Sequence, residues 1–161
     1  MKTRVKEAVG SFDFHFGLSM DILRSLTDKQ LSLTVGENMG NIGEQFRHMA
    51  KVIIQYTEAI ENKEVSNVQN PLDLEISRSR EQLIGYLEGA RERLGAVLDS
   101  MNDEVLSNLK IDWSHWEGEP MGIIEHLAAL AGHQNLHNGE LIVYLRTHEI
   151  PFPKSWSAWG L

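Results

Sequence analysis

Apolar side chains recur at spacings of three and four along four stretches of this chain. Val5, Val9, Phe12, Phe16, Met20, Leu23 and Leu26 fall on one line over residues 3–26. Ile42, Phe46, Met49, Ile53, Tyr56 and Ile60 do the same over 41–61. Ile76, Leu83, Leu87, Ala90, Leu94, Leu98 and Met101 mark a third stretch, 73–101, and an apolar run over 120–148 marks a fourth. That periodicity predicts amphipathic helices. Asn41, with Glu44 three residues on, suits a capping box, Asn102 suits the end of the third helix, and Pro120 suits the first turn of the fourth. Ile150-Pro151 stops the fourth. Polar or irregular stretches separate the helices: Gly36 to Gly40, Asn62 to Asp73 with Pro71, and Asp103 to Pro120 with Trp113 and Trp116. No strand alternation of useful length competes. The expectation is an all-α protein: one domain over 1–161, folded as a four-helix bundle with long connections before the second and fourth helices. The aromatic tail, 150–161, carries Trp156 and Trp159 and is expected to pack on the domain or on a second copy.

Composition narrows the function. The chain has 161 residues, a formal net charge of -8 and no cysteine. An acidic surface without a Lys/Arg cluster argues against nucleic acid and against anionic membranes. The spaced Arg78, Arg80, Arg91 and Arg93 read as the wet face of a helix. Absence of cysteine removes disulfides, thiolate metal sites and a thiol nucleophile together. No signal peptide and no membrane span is visible, so a cytoplasmic protein is expected.

The chemistry concentrates on the fourth stretch, in Glu125-His126-Leu127-Ala128-Ala129-Leu130-Ala131-Gly132-His133-Gln134-Asn135-Leu136-His137-Asn138-Gly139-Glu140-Leu141. On a helix, His133 and His137 lie one turn and about 40° apart, and His126 and Glu140 fall within about 20° of His133. Leu130, Leu136 and Leu141 flank this polar line, so it is expected to face inward. Two histidines at i and i+4 can aim their ring nitrogens at one ion from a single rigid element. With seven histidines in the chain, such a pair arises by chance in roughly a quarter of chains, so the pair alone does not decide. A third ligand has to come from elsewhere. His15 flanks the first apolar stripe, His48 sits at the edge of the second, and His115 lies between two tryptophans; periodicity does not choose among them.

Two segments resemble the DinB-like (damage-inducible, or YfiT-like) metalloproteins. One is Ile42-Gly43-Glu44-Gln45-Phe46-Arg47-His48-Met49; the other is His133 to Arg146, followed by the proline-containing tail. The resemblance implies a four-helix bundle with a metal triad of one histidine from the second helix and two from the last: His48, His133 and His137. Two departures stand out. Leu136 occupies a position where many members have a further histidine, and Glu140 one where many have glutamine. Glu140, His126 and His15 remain candidates for lining the pocket or supporting the ligands.

Three imidazoles suit a divalent transition metal, with zinc or nickel expected first. Three protein ligands leave a coordination position open, the pattern of a catalytic site. The resemblance further implies a metal-dependent S-transferase using a small-molecule thiol and an electrophilic substrate, or else a metal-dependent hydrolase, in a homodimer. A different class of function, a non-catalytic bundle that acts by self-association through its Trp-rich tail, is the competing expectation. A di-metal ferritin-like site is excluded because no Glu has His three residues later.

Overall fold

The computed structural model describes residues 2–66 and 74–161. Among the described residues six α-helices appear in order: α1 (Lys2–Ser25), α2 (Asp28–Leu31), α3 (Ile42–Asn62), α4 (Arg80–Ser100), α5 (Asp103–Asn108) and α6 (Ile123–Thr147). The four long ones, α1, α3, α4 and α6, are the expected bundle. Two short strands, β1 (Lys110–Ile111) and β2 (Met121–Gly122), pair antiparallel before α6.

Caps explain the helix boundaries. Asn41 Oδ1 accepts from the Glu44 amide at 2.9 Å while Glu44 Oε2 accepts from the Asn41 amide at 2.8 Å, the reciprocal box expected from sequence. Three other ends differ from expectation. The third long helix begins at Arg80, because Ser79 adopts an extended backbone and its hydroxyl accepts from the Gln82 amide. Residues Leu74–Arg78 form a separate 3-10 turn, and the expected start at Asp73 lies outside the described residues, as does part of the expected 62–73 loop. Asn102 does not end α4; it opens α5, accepting from the Val105 amide at 2.9 Å. The last helix starts at Ile123 rather than Pro120, since Met121 and Gly122 belong to the hairpin and Glu125 Oε2 accepts from the Gly122 amide at 2.7 Å.

Contacts at the helix ends fix the topology. Arg80 at the start of α4 bonds back to Asp28 and to the carbonyl of Leu26, just past α1. Tyr144 near the end of α6 donates to the carbonyl of Gly40, just before α3. At the opposite end the Lys2 amide donates to Asp103 Oδ1 at 3.0 Å, and Asp112 exchanges backbone hydrogen bonds with Lys63 and Val65. Thus α1 and α6 run one way, and α3 and α4 the other. Both expected long connections, before α3 and before α6, are present and carry the small elements. The 63–79 connection is the one that joins opposite ends of the bundle.

The most extensive packing is between the parallel pairs, α1 with α6 and α3 with α4. Phe12, Phe46, Met49, Ile53, Leu87, Leu94, Leu127 and Tyr144 sit in the shared core with no exposure, or essentially none. Gly43 is required by close approach: a Cβ there would stand 1.8 Å from the Ser77 carbonyl oxygen. The tail returns along α1. Trp156 is buried and its indole N–H donates to the Leu18 carbonyl at 3.1 Å, whereas Trp159 stays half exposed against Phe14. No helix among the described residues is long and apolar enough to cross a membrane.

Candidate metal centre

α3 and α6 run antiparallel, and this places His48, in the second turn of α3, opposite the middle of α6. The three rings of His48, His133 and His137 meet there. Their centroids stand 5.2 Å (His48–His133), 4.9 Å (His48–His137) and 4.4 Å (His133–His137) apart. One nitrogen from each lies within 4.8 Å of the others, close enough for all three to hold one ion. The three differ in burial: His137 is buried, His133 half-buried and His48 exposed. The site is therefore anchored in the core and open to solvent on the α3 side.

Electrostatics favour the neutral rings of His133 and His48. Burial pushes the His133 imidazolium down to about 4, helped by the neighbouring rings of His137 and His48. His48 is lowered as well, first by partial desolvation of its ring, then by His137, Lys51 and Arg47, against an opposing pull from Glu140. Glu140 Oε2 lies 2.6 Å from His137 Nδ1. A carboxylate there requires an N–H on Nδ1, so the neutral ring of His137 carries its lone pair on Nε2. That Nε2 is 3.2 Å from His133 Nε2.

This spacing tests the fit to a metal. Two nitrogens each about 2.0–2.1 Å from a tetrahedral ion stand roughly 3.3–3.4 Å apart. The observed 3.2 Å separation agrees. The tautomer set by Glu140 also agrees, because a ligand histidine ordinarily gives its second N–H to a carboxylate or carbonyl. Three histidines are thus positioned to bind a metal ion.

The remaining candidates fall elsewhere. His126 shares the face of His133 but is fully buried, with Nε2 2.9 Å from the Tyr56 carbonyl and its ring against Tyr56 and Trp113. His15 lies on α1, half-buried, its carbonyl accepting from Asn138 Nδ2. His115 is exposed beside Trp116. Leu136, expected to flank an inward line, is 62% exposed, so the histidine face borders solvent on one side. Sequence reasoning passed over two braces. Tyr144, wholly buried, donates to the Gly40 carbonyl and receives a long hydrogen bond from Gln45, tying α6 to the start of α3 beside the site. Asn138 and Gln134 face α1 from behind the ligands. A cleft of about 450 Å³ lined by Lys63, Glu104, Val105, Asn108, Leu109 and Lys110 contains none of the histidines.

Comparison with known proteins places the chain in a family and agrees with the fold. The model of the DinB family matches residues 1–148. Among solved structures, the DinB-like protein YjoA from Bacillus subtilis is similar at a TM-score of 0.68 and 19% identity, covering 89% of this chain and 92% of its own. No curated protein matches. The family match spans most of the chain, and the chain belongs to the DinB family.

Proposed function

We propose that this DinB-family chain is an enzyme that holds one divalent transition metal, zinc or nickel, on His48, His133 and His137, and joins a small-molecule thiol to an electrophile. The observation that carries the metal assignment is the convergence of the three rings, with two Nε2 atoms 3.2 Å apart. When bound, such an ion supplies Lewis acidity and favours the ionised form of a thiol or water held at its open position.

The chain's own groups fit this task. His133 and His137 ride on one helix, so their separation is fixed before anything binds. Glu140 holds the His137 ring in one tautomer and offsets positive charge at the site. The exposed edge at His48 gives a substrate its way in. The resemblance to thiol S-transferases in the family supports the choice of reaction. Hydrolysis is the second reading, since the exposure of His48 admits water as readily as a thiol. Self-association through the tail is weakened as the main role because Trp156 is already buried within its own chain. A cytoplasmic location and a homodimer belong to the same proposal.

Elemental analysis of protein purified without a metal-affinity tag tests the first half. About one zinc or nickel per chain is expected, and none in His133→Ala. A panel of thiols and electrophiles, with product mass measured, tests the second: a thioether product supports transfer, and a product gaining only water supports hydrolysis. Wild-type protein that retains no metal after loading and dialysis sinks the assignment.

A further inference from the structure

Each candidate ligand on α6 is followed at once by a buried amide: Gln134 after His133, and Asn138 after His137. One residue along a helix turns the side chain by about 100°. The rings therefore face α3 while the amides face α1. There they meet Ser19, which has no exposure. Gln134 Nε2 donates to Ser19 Oγ at 3.0 Å, Ser19 Oγ donates to Asn138 Oδ1 at 2.5 Å, and Asn138 Nδ2 donates to the His15 carbonyl at 3.0 Å.

The buried side chains of the two helices are otherwise largely apolar, among them Phe12, Ile22 and Leu23 on α1 and Leu127, Leu130 and Leu141 on α6. Apolar packing rewards burial but discriminates weakly between nearby rotations and slides of a helix. A buried polar network discriminates more strongly, because its donors and acceptors meet in one register only: here three hydrogen bonds form, with Gln134 Oε1 alone left without a partner, and a shifted register would lose them all. The metal centre needs that discrimination. A side-chain tip some 5–6 Å from the helix axis moves about 2 Å when the helix rotates by ~20°. Metal–ligand distances tolerate only ~0.2 Å.

We infer that Ser19, Gln134 and Asn138 form a register lock: they set the rotation and height of α6 on α1, and so hold His133 and His137 convergent on His48. They are positioning residues for the centre, acting from the opposite side of the helix. This inference rests on the metal reading given above.

The test replaces the lock by apolar groups of similar size, Ser19→Ala with Gln134→Leu and Asn138→Leu, in untagged full-length protein. Cobalt(II) serves as the probe, since its visible absorption reports ligand geometry. Removing the buried polar groups together leaves no orphan, so thermal stability is expected to hold or rise. Cobalt affinity is expected to fall at least tenfold, with a changed visible band, in line with the cost of losing outer partners of metal ligands. Ser19→Ala alone, the smallest change, is read alongside in case the triple variant does not fold; it is expected to show the same band change with a smaller loss of affinity. A folded variant, triple or single, that binds cobalt with wild-type affinity and spectrum overturns the lock. Wild-type protein that takes up no cobalt overturns the metal reading itself, and the lock with it.

Discussion

Two histidine environments lie on the same face of α6, about two turns apart. At His133 and His137 the helix meets a third imidazole from α3, a carboxylate bonded to Nδ1, and solvent at the rim. At His126 it meets Tyr56 and Trp113, a backbone carbonyl, and no solvent at all. The helical repeat puts all three on one line, so the difference comes from what α3 presents opposite: His48 in one place, Tyr56 in the other. Lone pairs converge in the first environment, whereas a single neutral ring is locked by packing in the second. A histidine's position on a helix face selects its neighbours, and the neighbours select its chemistry.

The sharpest way to break this contrast is to truncate both kinds of histidine. His137→Ala is expected to abolish stoichiometric metal, a loss well beyond the ~10–100-fold typical of removing an outer partner. His126→Ala is expected to leave one ion per chain. Metal titration of the two purified variants decides it. Equal loss in both would mean that the two environments are one site.

His126 is expected to matter for stability instead. Burial holds its imidazolium down to about 4, against the hydrogen bond to the Tyr56 carbonyl, which raises it. The folded state therefore binds its proton less readily than the unfolded state does. Its contribution is fully present above the ordinary histidine range near 6.5 and is lost as pH falls from there toward 4. The depression from 6.5 to about 4 corresponds to about 3 kcal/mol. Urea melts of wild type and His126→Gln between pH 7 and 4 are expected to show the steeper loss in wild type. His126→Ala also opens a cavity in the core, for about 2–4 kcal/mol of destabilisation at neutral pH. Parallel pH curves for wild type and His126→Gln would remove His126 as the acid-sensitive group.

The same contrast shows how far the sequence could be read. The four long helices were legible because each carries apolar repeats over about six or seven turns, and the His133–His137 pair was legible because both ligands share one helix. The small elements were not, because their causes are local caps and distant partners. Asn102 looks like a helix end and is a helix start. Ser79 stops a run that apolar spacing alone would extend to Ile76. The hairpin before α6 is pinned to the end of α3 by Asp112, Lys63 and Val65, which are far apart in sequence. His48 escaped periodicity because a rim ligand has to be partly wet, and an exposed residue at a stripe's edge carries no pattern. Its part was implied only by resemblance, and the meeting of the three rings is a property of the antiparallel α3–α6 packing. Gln134 and Asn138 were visible as polar residues on an apolar helix, but their partner Ser19 lies more than a hundred residues away.

The finest comparison is between Glu140 and the glutamine found at this position in many relatives. Both side chains can accept a hydrogen bond from His137 Nδ1, so Glu140→Gln preserves the tautomer and the fold. The amide lacks the charge, and a charge-assisted hydrogen bond is roughly twice as strong as a neutral one. The carboxylate also raises the affinity of His48 for a proton, and by the same attraction favours a cation at the triad. Glu140→Gln is therefore expected to weaken zinc binding by about tenfold, or ~1.4 kcal/mol, with one ion still bound at saturation. Glu140→Ala is expected to lose more, because Nδ1 then has no acceptor and the ring is free to turn. Competition against a chromophoric chelator measures both. If Gln and Ala weaken zinc equally, the hydrogen bond contributes nothing and Glu140 acts through its charge alone; if neither does, its 2.6 Å contact with His137 is incidental to the centre.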